Sequence, residues 1–430
     1  MRRNTLLLRL MAAVFALALL GAACGGDSDS NPSAGDASSE DSDAGSSMDD
    51  GSNSESITAG AIDTPAAELA QGLTDLLDSH VYLAGIAVEQ AALTKDPNSA
   101  QFKAAAGTLD KNSQDLAAAI ESVYGPEAGD QFLKLWRAHI GMFVDYTVGG
   151  ITGDAKAQAA AKKELDKYRQ DFGAFIDGAT NGELPKAAVA DALQMHVDSL
   201  IITIDLVLSG EGNPFLSLYD SASDHMPMTA SALATGIATS QGIEGQVDSA
   251  PAKLQQDLTD LLVSHVFLAG ITVEQAALTK DPESAQFKAA AAALDQNSQD
   301  LAAAIESVYG PEAGDQFLEL WRAHIGMFVD YTIGGLTGDT AMQKKAGKEL
   351  DKYRQDFGAF IDGATNGELP KAAVADALQM HVDSLVLAVD SIVEGKGNPF
   401  ELLYAASHEH MPMTASALAG GIVASNPDKF

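Results

Sequence analysis

The chain of 430 residues has one cysteine, two tryptophans, and 26 basic residues against 60 acidic ones. Each scarcity excludes something. With Cys24 alone, no intrachain disulfide can form, and no Cys-x-x-Cys-His exists for covalent haem attachment. The formal charge of −34 leaves no basic stripe to neutralise phosphates, so nucleic acid is excluded as a partner. The negative surface also argues against direct adhesion to anionic lipid. Runs of alternating β-branched residues bounded by turns are missing, which argues against strands. A nucleophile elbow, a Gly-rich phosphate loop, a His-Glu-x-x-His zinc motif and a placed Ser or Cys triad are all absent, so the chain reads as a non-enzyme. Beyond the first 23 residues, no run is expected to be long and apolar enough to cross a bilayer.

Those first 23 residues read as an address. Arg2 and Arg3 precede an apolar stretch from Leu6 to Leu20, broken only by Arg9, and Gly21-Ala22-Ala23 leads to Cys24. The pattern resembles the signal of bacterial lipoproteins, although Gly21 stands where that family usually has Leu. The resemblance implies acylation of Cys24 and anchoring on the outer face of the cell membrane; ordinary secretion with an unmodified thiol is the other reading. Residues 24–63 follow as an acidic tether. From 25 to 63 they hold ten acidic residues, no Lys or Arg and no aromatic residue, a composition that cannot build a core. As a flexible coil the tether spans roughly 35 Å.

The rest of the chain repeats itself at a step of 185 residues, over 64–241 and again over 250–426. Glu164–Leu200 and Glu349–Leu385 are identical throughout. In the first copy, Pro65, Pro97, Pro126, Pro185 and Pro214 mark helix starts, with Thr64, Asp96 and Asn213 as caps. Gly125, Gly149, Gly178 and Gly210 mark ends. The expected fold is all-α: two tandem helical-bundle domains, each with its own core and about six helices, spanning 65–94, 97–124, 126–148, 154–180, 185–209 and 214–240 in the first copy. Short connections make neighbouring helices antiparallel.

Eight of the nine histidines obey the repeat. His80, His139, His196 and His225 recur as His265, His324, His381 and His410. Each lies within about 3 Å of the midpoint of helix one, three, five or six, so antiparallel packing places them in one layer. His80 shares an apolar face with Leu73, Leu76, Leu77 and Leu83, His139 with Phe132, Trp136, Phe143 and Tyr146, and His196 with Val189, Leu193, Leu200 and Ile204. Helix six continues the pattern through Leu218, Ala222, His225, Met228 and Ala232.

Methionines share the layer. Met142 and Met228, one turn from His139 and His225, recur as Met327 and Met413. Met195 and Met226 adjoin His196 and His225, and Pro227 is expected to bend helix six. Imidazole with thioether points to copper, since soft sulfur selects Cu(I); zinc could take the imidazoles tetrahedrally. No histidine in either set has a carboxylate three or four residues away, which argues against di-iron chemistry. The expected site is therefore His80, His139, His196 and His225 with Met142 and Met228, and a second one from the matching residues. Haem held by His and His, or His and Met, is an alternative cargo. The plain alternative is core packing, since a mid-helix histidine on an apolar face is ordinarily bonded to a carbonyl, hydroxyl or water. The chain would then be a structural module facing an envelope partner. His408, unique to the second copy where the first has Ser223, is expected to point elsewhere.

Trp136–Tyr146, Leu193–Val197 and His225-Met226 resemble segments of helical domains secreted by Gram-positive bacteria, some found in chains carrying a copper amine oxidase-type module. That module is not visible here, so the resemblance implies no mechanism, and copper oxidase activity is a minor possibility only.

Overall fold

The computed structural model describes residues 62–430. The signal segment 1–23, Cys24 and nearly all of the tether lie outside the described residues. All regular structure among the described residues is helical. The first repeat comprises α1 (Pro65–Thr94), α2 (Ala100–Tyr124), α3 (Pro126–Thr152), α4 (Ala155–Ala179), α5 (Lys186–Ser209), α6 (Pro214–Ser223) and α7 (Met226–Gln241). The second comprises α8 (Ala250–Thr279), α9 (Ala285–Tyr309), α10 (Pro311–Thr337), α11 (Thr340–Ala364), α12 (Lys371–Glu394) and α13 (Pro399–Ser425).

Local chemistry accounts for most boundaries. Thr64, Asp154 and Asn213 cap α1, α4 and α6 with side-chain oxygens that accept from backbone N–H groups, satisfying donors the helix itself leaves free. Pro97 does not open α2; Ser99, two residues later, caps it, accepting from the Phe102 N–H. α3 runs past Gly149 to Gly153, whose φ of 71° suits a residue without a Cβ.

The sixth segment departs furthest from expectation. In the first repeat it breaks after Ser223 and restarts at Met226 with His225 as the capping residue, so Pro227 sits in a first turn, where its missing N–H costs nothing. In the second repeat α13 is continuous and carries Pro412 inside. The buried face also differs from the expected one: it runs through Ala222, Met226, Ala230 and Ala234. His225, one residue and about 100° from Met226, is half-buried, and Ala232 is exposed.

The two repeats do not keep separate cores. The described residues, 62–430, fall within one compact unit, and a single cluster of buried apolar side chains draws on both repeats. α1 and α8 lie side by side at its centre, buried on nearly every face. By length and composition alone α5, α8 and α12 could cross a membrane, contrary to the sequence-based expectation. For α8 the central position explains its apolarity, because a helix buried all round needs no polar face.

Contacts between the repeats are reciprocal. Tyr219 donates to Asp300 at 2.7 Å, and Tyr404 donates to Asp115 at 2.8 Å. Gln90 donates to Glu274 and Gln275 to Glu89, both at 2.8 Å. Each pair maps onto the other by the 185-residue step, the signature of a two-fold, isologous interface within one chain. One approach inside each repeat is unusually close: a Cβ on Gly173 would lie 2.6 Å from the Lys186 carbonyl oxygen, so glycine is what lets α4 and α5 meet there.

Candidate metal centre

Three helices aim an imidazole at one point in each repeat. His80 on α1, His139 on α3 and His196 on α5 are all at most 5% exposed, and His265, His324 and His381 at most 7%. In each triad one ligand-type nitrogen per ring lies within 4.8 Å of the others. The Nε2 atoms of His80 and His139 are 3.3 Å apart, as are those of His265 and His324. Two imidazole nitrogens bound tetrahedrally to one ion at 2.0–2.1 Å would be separated by roughly 3.3–3.4 Å. The spacing thus matches one edge of a coordination polyhedron and is long for an N–H···N hydrogen bond.

Aromatic side chains wall the first triad. Trp136 lies 4.7 Å from the His80 ring centroid and 4.6 Å from that of His139. Tyr168 on α4 stacks on His139 at 4.9 Å, and Phe143 meets both His139 and His196 edge-on. The second triad repeats the stacking through Trp321 and Tyr353. Sequence reasoning passed over Tyr168 and Tyr353 because α4 and α11 contain no histidine. Their place beside Leu165, Phe172 and Ile176, on the buried stripe of α4, was the available signal.

Burial sets the protonation state. Lack of solvation, followed by the neighbouring ring His196, drives His139 down to about 3. His196 falls to about 4 through burial and then His225. His80 drops well below the usual histidine range through burial, then His139 and His196. His265 falls to about 3 and His381 to about 4, again through burial first. These imidazoles are neutral at pH 7 and keep a free lone pair, as a metal ligand must. The Nδ1 atoms of His80, His196, His265 and His381 are buried without a protein partner, and so is Nε2 of His196, while His139 and His324 lean on the Trp136 and Trp321 backbone. Leaving such groups unpaired costs about 1–3 kcal/mol each.

The other expected ligands fall outside the triads. His225 and His410 are half-buried beside His196 and His381, each with a buried, unpartnered Nδ1. Met228 is 59% exposed and faces solvent. Met142, Met327 and Met413 are partly buried, and Met142 and Met327 pack on the edge of the apolar core. The inward thioether is instead that of Met226, 3% exposed, which lines a cavity of about 40 Å³ with His80 and His196. A second cavity of about 30 Å³ lies against His80 and His139. His408, expected to point elsewhere, bonds across the repeat interface to buried Asp75 and stacks on Tyr404.

No protein-family model, no curated protein and no solved structure matches the chain.

Proposed function

We propose that the protein is a lipid-anchored, extracytoplasmic metal carrier that holds one ion in the histidine triad of each repeat, with copper as Cu(I) the favoured cargo. The observation that carries this is the convergence of three neutral, buried imidazoles in both repeats, one pair of nitrogens at 3.3 Å and the third within 4.8 Å.

The donor set argues for a monovalent soft cation. No carboxylate belongs to either triad, so an ion keeps its full charge in a poorly solvated interior. Born cost rises with the square of charge, which penalises Zn(II) about four times as heavily as Cu(I). Three imidazoles with the Met226 thioether nearby also suit Cu(I). Haem fits less well, because cavities of about 30 and 40 Å³ are far below the roughly 300 Å³ of an organic-ligand pocket. Anchoring rests on the signal-like segment and Cys24.

The rival is a purely structural core, in which the two facing Nε2 atoms share a proton. It leaves His196 with both nitrogens buried and unpartnered. Metal analysis of tag-free protein loaded with Cu(I) distinguishes the two: the carrier binds two equivalents per chain. Fewer than ~0.2 equivalents per repeat, in a folded protein, sinks the metal reading.

A further inference from the structure

We propose that the two centres exchange their ion at different rates, the first repeat's being the fast site and the second repeat's the slow one. This rests on the metal-carrier reading and goes beyond it. In both repeats the half-buried residue beside the third triad ring is the sixth-segment histidine, His225 next to His196 or His410 next to His381. Each ring is half-buried, with an unpartnered Nδ1 directed inward. An ion leaving the triad by ligand exchange passes this ring and the adjoining thioether, Met226 or Met411, each 3% exposed.

The backbone carrying that ring differs between the repeats. His225 stands at the break between α6 and α7, with φ −120° and ψ −36° and no side-chain capping bond. It can swing by adjusting its own dihedrals at the break, as hinge positions do. His410 lies inside the uninterrupted α13 of 27 residues. Two residues earlier, His408 bonds to Asp75 on α1, itself 1% exposed, and its ring lies parallel to that of Tyr404 at 5.3 Å. The first repeat has Ser223 at the same place, bonded to Asp260 at 3.2 Å. Displacing His410 therefore disturbs the His408–Asp75 contact and an uninterrupted helix, whereas displacing His225 disturbs only the longer Ser223–Asp260 hydrogen bond beside a helix break. Access follows the same order: Met228, beside His225, is exposed, while Met413 is half-buried.

The test loads the full chain with Cu(I), adds excess bicinchoninate and follows the chelator complex by stopped-flow absorbance. Two phases of equal amplitude are expected, with rates at least tenfold apart. His139→Leu should remove the fast phase and His324→Leu the slow one. His408→Ser, which copies the arrangement the first repeat already tolerates, should accelerate the slow phase toward the fast one without altering stoichiometry. Two equivalents released at a single rate overturn the inequality and leave the carrier reading standing. So does a fast phase that belongs to the second repeat, or a slow phase unmoved by His408→Ser. A folded chain that binds no copper overturns both.

Discussion

Tyr82 lies flat against Phe267, ring centroids 5.1 Å apart and planes 8° from parallel, and the two are the same position of the two repeats. A residue stacked on its own counterpart marks the local two-fold axis, which runs between α1 and α8. The interface is consequently self-complementary. The second repeat alone, residues 246–430, should associate as a dimer by size exclusion with light scattering. His408 of each copy would then meet Asp260 of the other, the residue equivalent to Asp75. A stable monomer would show that α8 does not need that cover.

The two tryptophans of the chain each sit against one triad, at 4.7 Å from His80 and from His265. Copper loading should quench the emission of both. In Trp136→Phe, one equivalent of copper should go unreported while the second quenches the remaining signal. Unchanged emission at full loading would place the ion elsewhere.

Loss of one triad ring should weaken the ion of that repeat alone. His139→Leu is expected to lower affinity there on the order of 100-fold or more, exceeding the ten- to hundredfold of a lost outer-shell partner. The second repeat should keep its affinity. Competition titration against a calibrated chelator measures both, and equal weakening of both sites would contradict independent centres.

Stability of the metal-free chain should peak in mildly acidic solution. Among the triad histidines His139, His196, His265 and His381 are depressed to about 3 or 4, and His80 and His324 well below the usual range, from an unfolded value near 6.5. The unfolded chain binds more protons below about pH 6.5, so this contribution is lost as pH is lowered and stability rises with pH up to about 6.5. Buried carboxyls act in the opposite sense. Burial and the facing Glu274 raise Glu89 to about 8, and burial raises Glu274 and Asp260 to about 7. For these the native state holds the extra proton, so stability is fully present below about pH 4 and is lost as pH rises to about 8. Above pH 6.5 the carboxyls titrate together with His408, which Asp75 raises against the opposing effect of burial. All lose stability as pH rises, so Tm should drop between pH 6.5 and 8.5. Glu89→Gln should flatten that limb; a Tm rising across it would refute the assignment.

Two glycines should respond oppositely to alanine. Gly173→Ala forces a Cβ to 2.6 Å from a backbone carbonyl oxygen and should destabilise by about 1–3 kcal/mol. Gly72→Ala meets nothing within 4 Å and should stabilise by about 0.5–1 kcal/mol through helix propensity. Urea unfolding of both variants checks the pair.

The all-α class, the duplication, most helix bounds and the layer holding His80, His139 and His196 were legible in the residues. Caps and glycines act within a few residues, and a 3.6-residue period declares which face is apolar. His225 was misjudged because Leu218, Ala222 and His225 continue a plausible stripe. Choosing between that stripe and the one through Met226, Ala230 and Ala234 depends on where the neighbouring helix lies.

Local chemistry in the sequence thus determined which segments are helical and that the imidazoles of His80, His139 and His196 face inward. Only the tertiary structure decided that the repeats share a core, that α1 and α8 carry buried acids, and that His408 answers Asp75 across the interface. Those facts are pairings between positions up to 333 residues apart. No local period records such pairings, because their energy exists only once the two central helices have met.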